Sequence, residues 1–356
     1  MTTLLSVLFV FGLLVFIHEF GHFLVAKWLD VRVERFSLGF GPKIFSVLRG
    51  HTEYMICALP LGGYVKLAGD EVGAELTREP WEFLSRNPWQ RNLIVLAGPL
   101  MNLFLAFVLL SIISMVGVPM FTSKVGEVKK GFPADLAGIK PNDVIVTING
   151  KPTKLWEDLV GVIYASPGKP LELGLRRAMA GDATGEITKL KIVPREEVMK
   201  DLFGKERKIG IIGITPTAEV LAQKLGFFPA VGAGFHATVS MTAMTYKGLW
   251  MLVTRQVPAN SIGGPLMIAK LAGESAKKGV VQLLYFTCVI SVSLGVINLL
   301  PVPVLDGGHL AYFTIEGIKG SPVSLRAQEV SQRVGIVLLV SLMLFATYND
   351  ILRFLS

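Results

Sequence analysis

Between Leu4 and Ala26 the chain is apolar and long enough to cross a bilayer, yet it carries His18, Glu19 and His22. Such a run in lipid must be a helix, because only a helix satisfies its own backbone hydrogen bonds there. Three ionisable side chains at that depth cost free energy and mark a functional site. They are spaced as His-Glu-x-x-His. On a helix, imidazoles at i and i+4 leave the same face and can grip one metal ion. Glu19, one residue along, can reach water at that ion and act as a general base. Three fixed residue types match a chain of this length by chance at a rate of about 4%, and placement in an apolar run lowers it further. The other reading open here is two polar residues packed between helices and hydrogen-bonded to each other.

The composition, 51% apolar over 356 residues, suits several spans and a domain. Candidate spans are Leu4 to Ala26, Leu93 to Val118, Val280 to Leu300 and the shorter Val334 to Phe345 with its flanks. With no Lys or Arg before the first run and no small-residue cleavage site after it, the first span is expected to be retained. The formal charge of +8 is spread over loops and interleaved with acids, which speaks for membrane-facing loops and against nucleic acid as a partner. Nine basic residues lie between Lys27 and Arg91, against none before the first span. The positive-inside rule therefore puts that loop in the cytoplasm and the N-terminus outside. Cys57 and Cys288 suggest no disulfide framework.

Two histidines need a third protein ligand to make a catalytic zinc site. The third span ends Asn298-Leu299-Leu300-Pro301-Val302-Pro303-Val304-Leu305-Asp306-Gly307-Gly308, a helix broken by prolines that delivers one carboxylate. Asp306 is the candidate; an interfacial Asp at a turn is the plainer alternative. His18 lies about 21 Å along the first span, nearer the cytoplasmic face. Asp306 reaches that side only if the third span runs parallel to the first, with a single crossing between them. Leu93 to Val118 supplies it. By this parity Ala230 to Val253, apolar but containing His236, Lys247 and several Thr, is expected to be an amphipathic helix on the outer surface or over the site.

The first loop reads as short strands at Pro42 to Leu48, Glu53 to Ala58 and Gly63 to Leu67, turning at Arg49-Gly50. A sheet edge beside the metal helix could pair with an unwound substrate, because a transmembrane helix hides its amides until it is unravelled. An ordinary cytoplasmic hairpin is the alternative. From Phe121 to Thr215 the chain is polar and turn-rich, with a strand at Asp143 to Ile148, a turn at Asn149-Gly150, a helix at Leu155 to Tyr164 and a hairpin from Leu171–Leu175 and Ile187–Val193 around a glycine-containing loop. The stretch from Gly131 to Ile145 is similar to bacterial PDZ domains, which bind peptide by strand addition. A spacer that only filters bulky substrates fits as well.

HEFGH, the NLLPVPVLDGG run, Phe36-Ser37-Leu38-Gly39-Phe40-Gly41-Pro42, Pro60-Leu61-Gly62-Gly63-Tyr64-Val65-Lys66 and Gly263-Gly264-Pro265 occur in one order along almost the whole chain. With them the chain closely resembles the site-2 protease family of zinc intramembrane metalloproteases, in its bacterial RseP-type form. The resemblance implies Zn2+ on His18, His22 and Asp306, Glu19 as catalytic base, and Asn298 holding substrate or transition state. The strand edge at Gly62, Gly63, Tyr64 and Val65 is the candidate substrate contact. Implied substrates are single-span membrane proteins already trimmed by another protease, such as anti-sigma factors, or remnant signal peptides, cut in regulated intramembrane proteolysis at the bacterial inner membrane. Enterobacterial members carry two tandem PDZ domains; this chain has room for one.

The expected fold is thus a polytopic α-helical membrane protein with about four transmembrane helices, a membrane-associated β-hairpin region and one inserted extracytoplasmic PDZ domain of β-rich α+β type. Its expected parts are the first span with HExxH (1–28), the hairpin loop (29–92), the second span (93–118), the PDZ domain (119–217), an extracytoplasmic amphipathic region (218–279), the third span (280–308), a cytoplasmic loop (309–333) and the fourth span with its tail (334–356). Expected partners are the lipid bilayer, single-span substrates, and peptide ends at the PDZ domain. The rival reading is a PDZ-bearing membrane scaffold or metal-handling protein without proteolytic activity. A transporter would tend to show paired repeats or several intramembrane charges, and neither is visible. His51 and His236 are scattered, whereas His309 is close enough to Asp306 to support it or to be merely interfacial.

Overall fold

The structure, a computed structural model, describes residues 2–70, 79–177, 187–200, 206–258 and 263–355. Among the described residues, four helices are long and apolar enough to cross a membrane: Thr2–Trp28, Pro88–Val116, Val280–Asn298 and Leu325–Leu355. The chain divides into two compact units, Met1–Ile113 with Phe227–Ser356, and Ser114–Gly226.

The larger unit begins with α1 (Thr2–Trp28), followed by β1 (Val33–Arg49), β2 (Thr52–Leu67) and α2 (Pro88–Val116). β1 and β2 are longer than the short strands expected, and both bend. Phe36 pairs with Val65 on one side and with Tyr54 on the other, while Val47 also pairs with Tyr54. The hairpin therefore folds over into a sheet whose lanes run 43–49, 52–57, 35–40 and 63–67, with the last lane forming an edge. Ile44 and Leu48 expose their side chains.

The smaller unit contains β3 (Val118–Phe121), β4 (Val125–Val128), α3 (Pro133–Leu136), β5 (Val144–Ile148), β6 (Lys151–Pro152), α4 (Trp156–Tyr164), β7 (Leu171–Arg176), β8 (Ile187–Ile192), β9 (Arg195–Lys200), β10 (Glu206–Ile211), β11 (Ile214–Pro216) and β12 (Val220–Gln223). A four-stranded antiparallel sheet has the order β6-β5-β7-β8. Alternating strand residues such as Leu171, Leu173 and Leu175 close a core with Leu159 and Ile163 of α4. Strand, turn, helix and hairpin lie where the sequence pattern put them. Most of the glycine-containing loop expected between β7 and β8 falls outside the described residues.

The chain returns to the larger unit with α5 (Phe227–Val253), α6 (Pro265–Lys278), α7 (Val280–Asn298), α8 (Asp306–Lys319) and α9 (Leu325–Leu355). Residue pairs fix the helix directions. His22 and His18 of α1 meet Ile94 and Asn102 of α2, and Asn102 and Pro99 of α2 meet Ser291 and Gly295 of α7. α2 thus runs antiparallel to both neighbours, and α1 and α7 run the same way. This is the relation the parity argument requires.

Two elements differ from expectation. Residues 306–319 form α8 where a loop was expected, and α9 begins at Leu325, ahead of residue 334. α5 is a helix outside the four span-like ones, but it is packed along α2, with Gly234 against Ser111, Phe235 against Phe107, and Tyr246 lining one apolar cavity with Leu103. Its Thr238, Thr242 and Thr245 hydroxyls each donate to the carbonyl four residues earlier. Their polarity is spent within the helix, so they do not oppose burial.

Candidate metal centre

α1 carries His18 and His22 on the face turned to α2, and each ring is held at Nδ1. The Ile94 carbonyl lies 2.9 Å from Nδ1 of His22. A carbonyl only accepts, so Nδ1 bears the proton and Nε2 offers its lone pair. Nδ1 of His18 lies 3.1 Å from the side-chain amide of Asn102. Gly98, between these two positions, leaves the rings their space: a Cβ there would lie 2.3 Å from Nε2 of His22 and 3.0 Å from Cε1 of His18.

Asp306 arrives from the other side. α7 stops at Asn298, the prolines carry the chain through a tight loop, and α8 starts at Asp306. Val304 has φ +91, a costly conformation for a β-branched residue that only surrounding structure can hold. Gly307 lets the loop fold back, since a Cβ there would lie 2.0 Å from the Leu300 carbonyl oxygen. The carboxylate is thereby brought to the histidines.

One donor atom from each of His18, His22 and Asp306 lies within 4.8 Å of the others. Nε2 of His18 is 3.3 Å from Nε2 of His22 and 3.1 Å from Oδ2 of Asp306, and Nε2 of His22 is 3.7 Å from Oδ1. Donors about 2.0–2.1 Å from a tetrahedral zinc sit roughly 3.3 Å apart, so the spacing matches. Oδ2 of Asp306 is buried and accepts no hydrogen bond. A buried carboxylate facing two imidazole nitrogens suits a shared cation, and the two-imidazole, one-carboxylate set fits zinc.

Glu19 points past the histidines to the sheet edge, where Val65 N–H donates to its Oε2 at 3.1 Å. All four side chains and Val65 line one cavity of about 690 Å³, together with Asp70, Arg91, His309 and Glu316. Arg91 and Glu316, side chains 6% and 19% exposed, pair at 2.5 Å and tie the start of α2 to α8. Burial holds the His309 imidazole below its usual value, against the pull of Asp306. Of the expected substrate contacts, Val65 lines the cavity; Gly62, Gly63 and Tyr64 sit on the same edge strand beyond its lining, with Gly63 close to Glu19. Asn298, half-buried at the end of α7, is not among the lining residues.

Sequence reasoning overlooked α2 as part of the site. Asn102 carries the same signal that singled out the histidines, a polar side chain in an apolar run, and it is fully buried. The Ile94 carbonyl leaves no trace in side-chain chemistry.

Fold and site together define an integral membrane protein in which three potential metal donors, His18, His22 and Asp306, come together. A family model described as peptidase family M50 matches residues 6–342, and the chain belongs to that family. A protein of Agrobacterium fabrum described as a putative zinc metalloprotease is 37% identical over 96% of this chain and 93% of its own. One of Clostridium acetobutylicum with the same description is 37% identical over 96% and 95%. Zinc metalloprotease RasP of Oceanobacillus iheyensis is 29% identical over 99% of both chains.

Proposed function

We propose that this chain is a zinc-dependent intramembrane endopeptidase that cuts the transmembrane segments of single-span proteins already shortened by another protease, of the anti-sigma-factor or remnant-signal-peptide kind, in regulated intramembrane proteolysis. The observation that carries the reading is the convergence of His18, His22 and Asp306 on one point, with the two histidines on a helix long and apolar enough for a membrane and Oδ2 of Asp306 buried against them. Zinc metalloprotease activity accords with the M50 family and with the names of the relatives.

In this mechanism His18, His22 and Asp306 would hold Zn2+, which would supply Lewis acidity toward a water molecule and the scissile carbonyl. Glu19, adjacent to His18 and oriented by the Val65 amide, takes the proton from the attacking water and delivers it to the leaving amine. The edge lane 63–67 offers an unwound substrate a strand to pair with, through Gly62, Gly63, Tyr64 and Val65. Asn298, at the break between α7 and the loop, steadies substrate or transition state.

Charge in the first loop and the shared direction of α1 and α7 support an N-terminus outside a bacterial inner membrane, with the metal nearer the cytoplasmic face. The unit 114–226 is then an extracytoplasmic PDZ domain that receives peptide ends or screens substrate bulk. Comparing membrane proteomes of cells with the native chain and with Glu19→Gln tests the proposal. Accumulated single-span fragments with Glu19→Gln, which should keep its zinc, support it; continued cleavage by that variant overturns it.

A further inference from the structure

α2 contributes no metal ligand, yet it touches both histidines on the nitrogen that faces away from the metal position. For His22 the contact is a backbone carbonyl, which no substitution of Ile94 removes. For His18 it is a side chain, Asn102, fully buried and 3.1 Å from Nδ1. The backbone carbonyl of Asn102 in turn accepts the Ser291 hydroxyl at 2.7 Å, which joins α2 to the helix that delivers Asp306.

The amide has two ends with opposite chemistry. Nδ2 is the end near Nδ1 of His18, while Oδ1 is buried without a hydrogen-bond partner. An imidazole that gives Nε2 to a metal carries its proton on Nδ1 and must donate from it. Facing Nδ2, it would meet another donor. A half turn of the amide exchanges the two ends and sets the orphaned Oδ1 on the Nδ1 proton. One rotation thus pairs Oδ1 with the Nδ1 proton in the tautomer that binds metal.

We propose that Asn102 is the positioning residue for His18: its amide oxygen accepts from Nδ1 and fixes the ring with Nε2 toward the metal. The claim rests on His18 being a zinc ligand. Loss of such a support costs about 10–100-fold in metal affinity. Asn102→Leu fills the space and removes the acceptor; Asn102→Asp restores one, as in carboxylate–histidine–zinc arrangements.

The test is zinc affinity of the purified full-length chain by chelator competition in detergent, with the cobalt-substituted absorption spectrum as a second readout. The expected result is a loss of about 10–100-fold for Asn102→Leu with an altered cobalt spectrum, and near-native affinity and spectrum for Asn102→Asp. Native affinity in Asn102→Leu overturns the proposal. If the Leu variant does not fold, the Asp variant decides: native affinity upholds the role, and a tenfold or greater loss in a folded protein ends it. His18→Ala is the control. Zinc lost there but kept in Asn102→Leu removes the positioning role and leaves the ligand assignment intact, whereas zinc kept in His18→Ala removes the assignment itself.

Discussion

Gly98→Ala should empty the metal centre by a single methyl group. The added Cβ would stand 2.3 Å from Nε2 and 2.5 Å from Cε1 of His22. Non-bonded heavy atoms settle about 3.5–4.0 Å apart, so the imidazole must retreat by more than about 1 Å. Metal–ligand distances tolerate about 0.2 Å. The same retreat pulls Nδ1 from the Ile94 carbonyl, so the ring loses its tautomer lock with its position. The affinity loss should therefore exceed the roughly 10–100-fold typical of a lost supporting contact, with overpacking adding about 1–3 kcal/mol of destabilisation. Chelator competition in detergent reads the affinity, and circular dichroism confirms that the helices remain. Gly12→Ala on α1 is the matched control, because its nearest atom would be an unstrained 3.6 Å away. Undiminished zinc affinity in folded Gly98→Ala would refute the view that α2 backs the ligand rings.

Three further outcomes follow from the same contacts. Val65→Pro removes the amide that Glu19 accepts, so turnover should fall with zinc content unchanged, and unaltered turnover would dismiss that amide as an orienting group. Arg91→Met leaves the Glu316 carboxylate buried and unpaired, which should cost about 3–5 kcal/mol in detergent unfolding, while the double change with Glu316→Met should recover most of it. In the smaller unit, burial works to raise the Asp143 carboxyl, but the two-pronged Arg177 guanidinium and the Lys140 amide outweigh it and hold the value below the usual range. A lowered folded-state value gives stability present above the unfolded value of about 4 and lost as pH falls through the folded one. Hydrogen exchange in β5 and β7 should accelerate across that acid window, and less so in Asp143→Asn.

The three donor side chains that the structure brings together were legible because each contradicts its surroundings. His18 and His22 are ionisable in an apolar run, and Asp306 is a carboxylate set among prolines and glycines where a span breaks. The shared direction of α1 and α7 followed from requiring Asp306 to meet the histidines with a single crossing between them. What escaped has physical causes. α8 hides behind Gly307 and Gly308, which depress helix propensity but are needed for the loop to close on it. The first half of β1 is broken by Gly39 and Gly41, so its alternation is too short to register. The Ile94 carbonyl belongs to the backbone, which residue identity does not report.

The central claim is that two imidazoles from α1 and the carboxylate of Asp306 hold one zinc ion. X-ray absorption at the zinc edge on the purified full-length chain tests this most directly. The account predicts nitrogen and oxygen donors at about 2.0–2.2 Å with multiple scattering from two imidazoles, reduced to one in His22→Ala. A sulfur donor near 2.3 Å, or a spectrum unchanged by loss of His22, would contradict it.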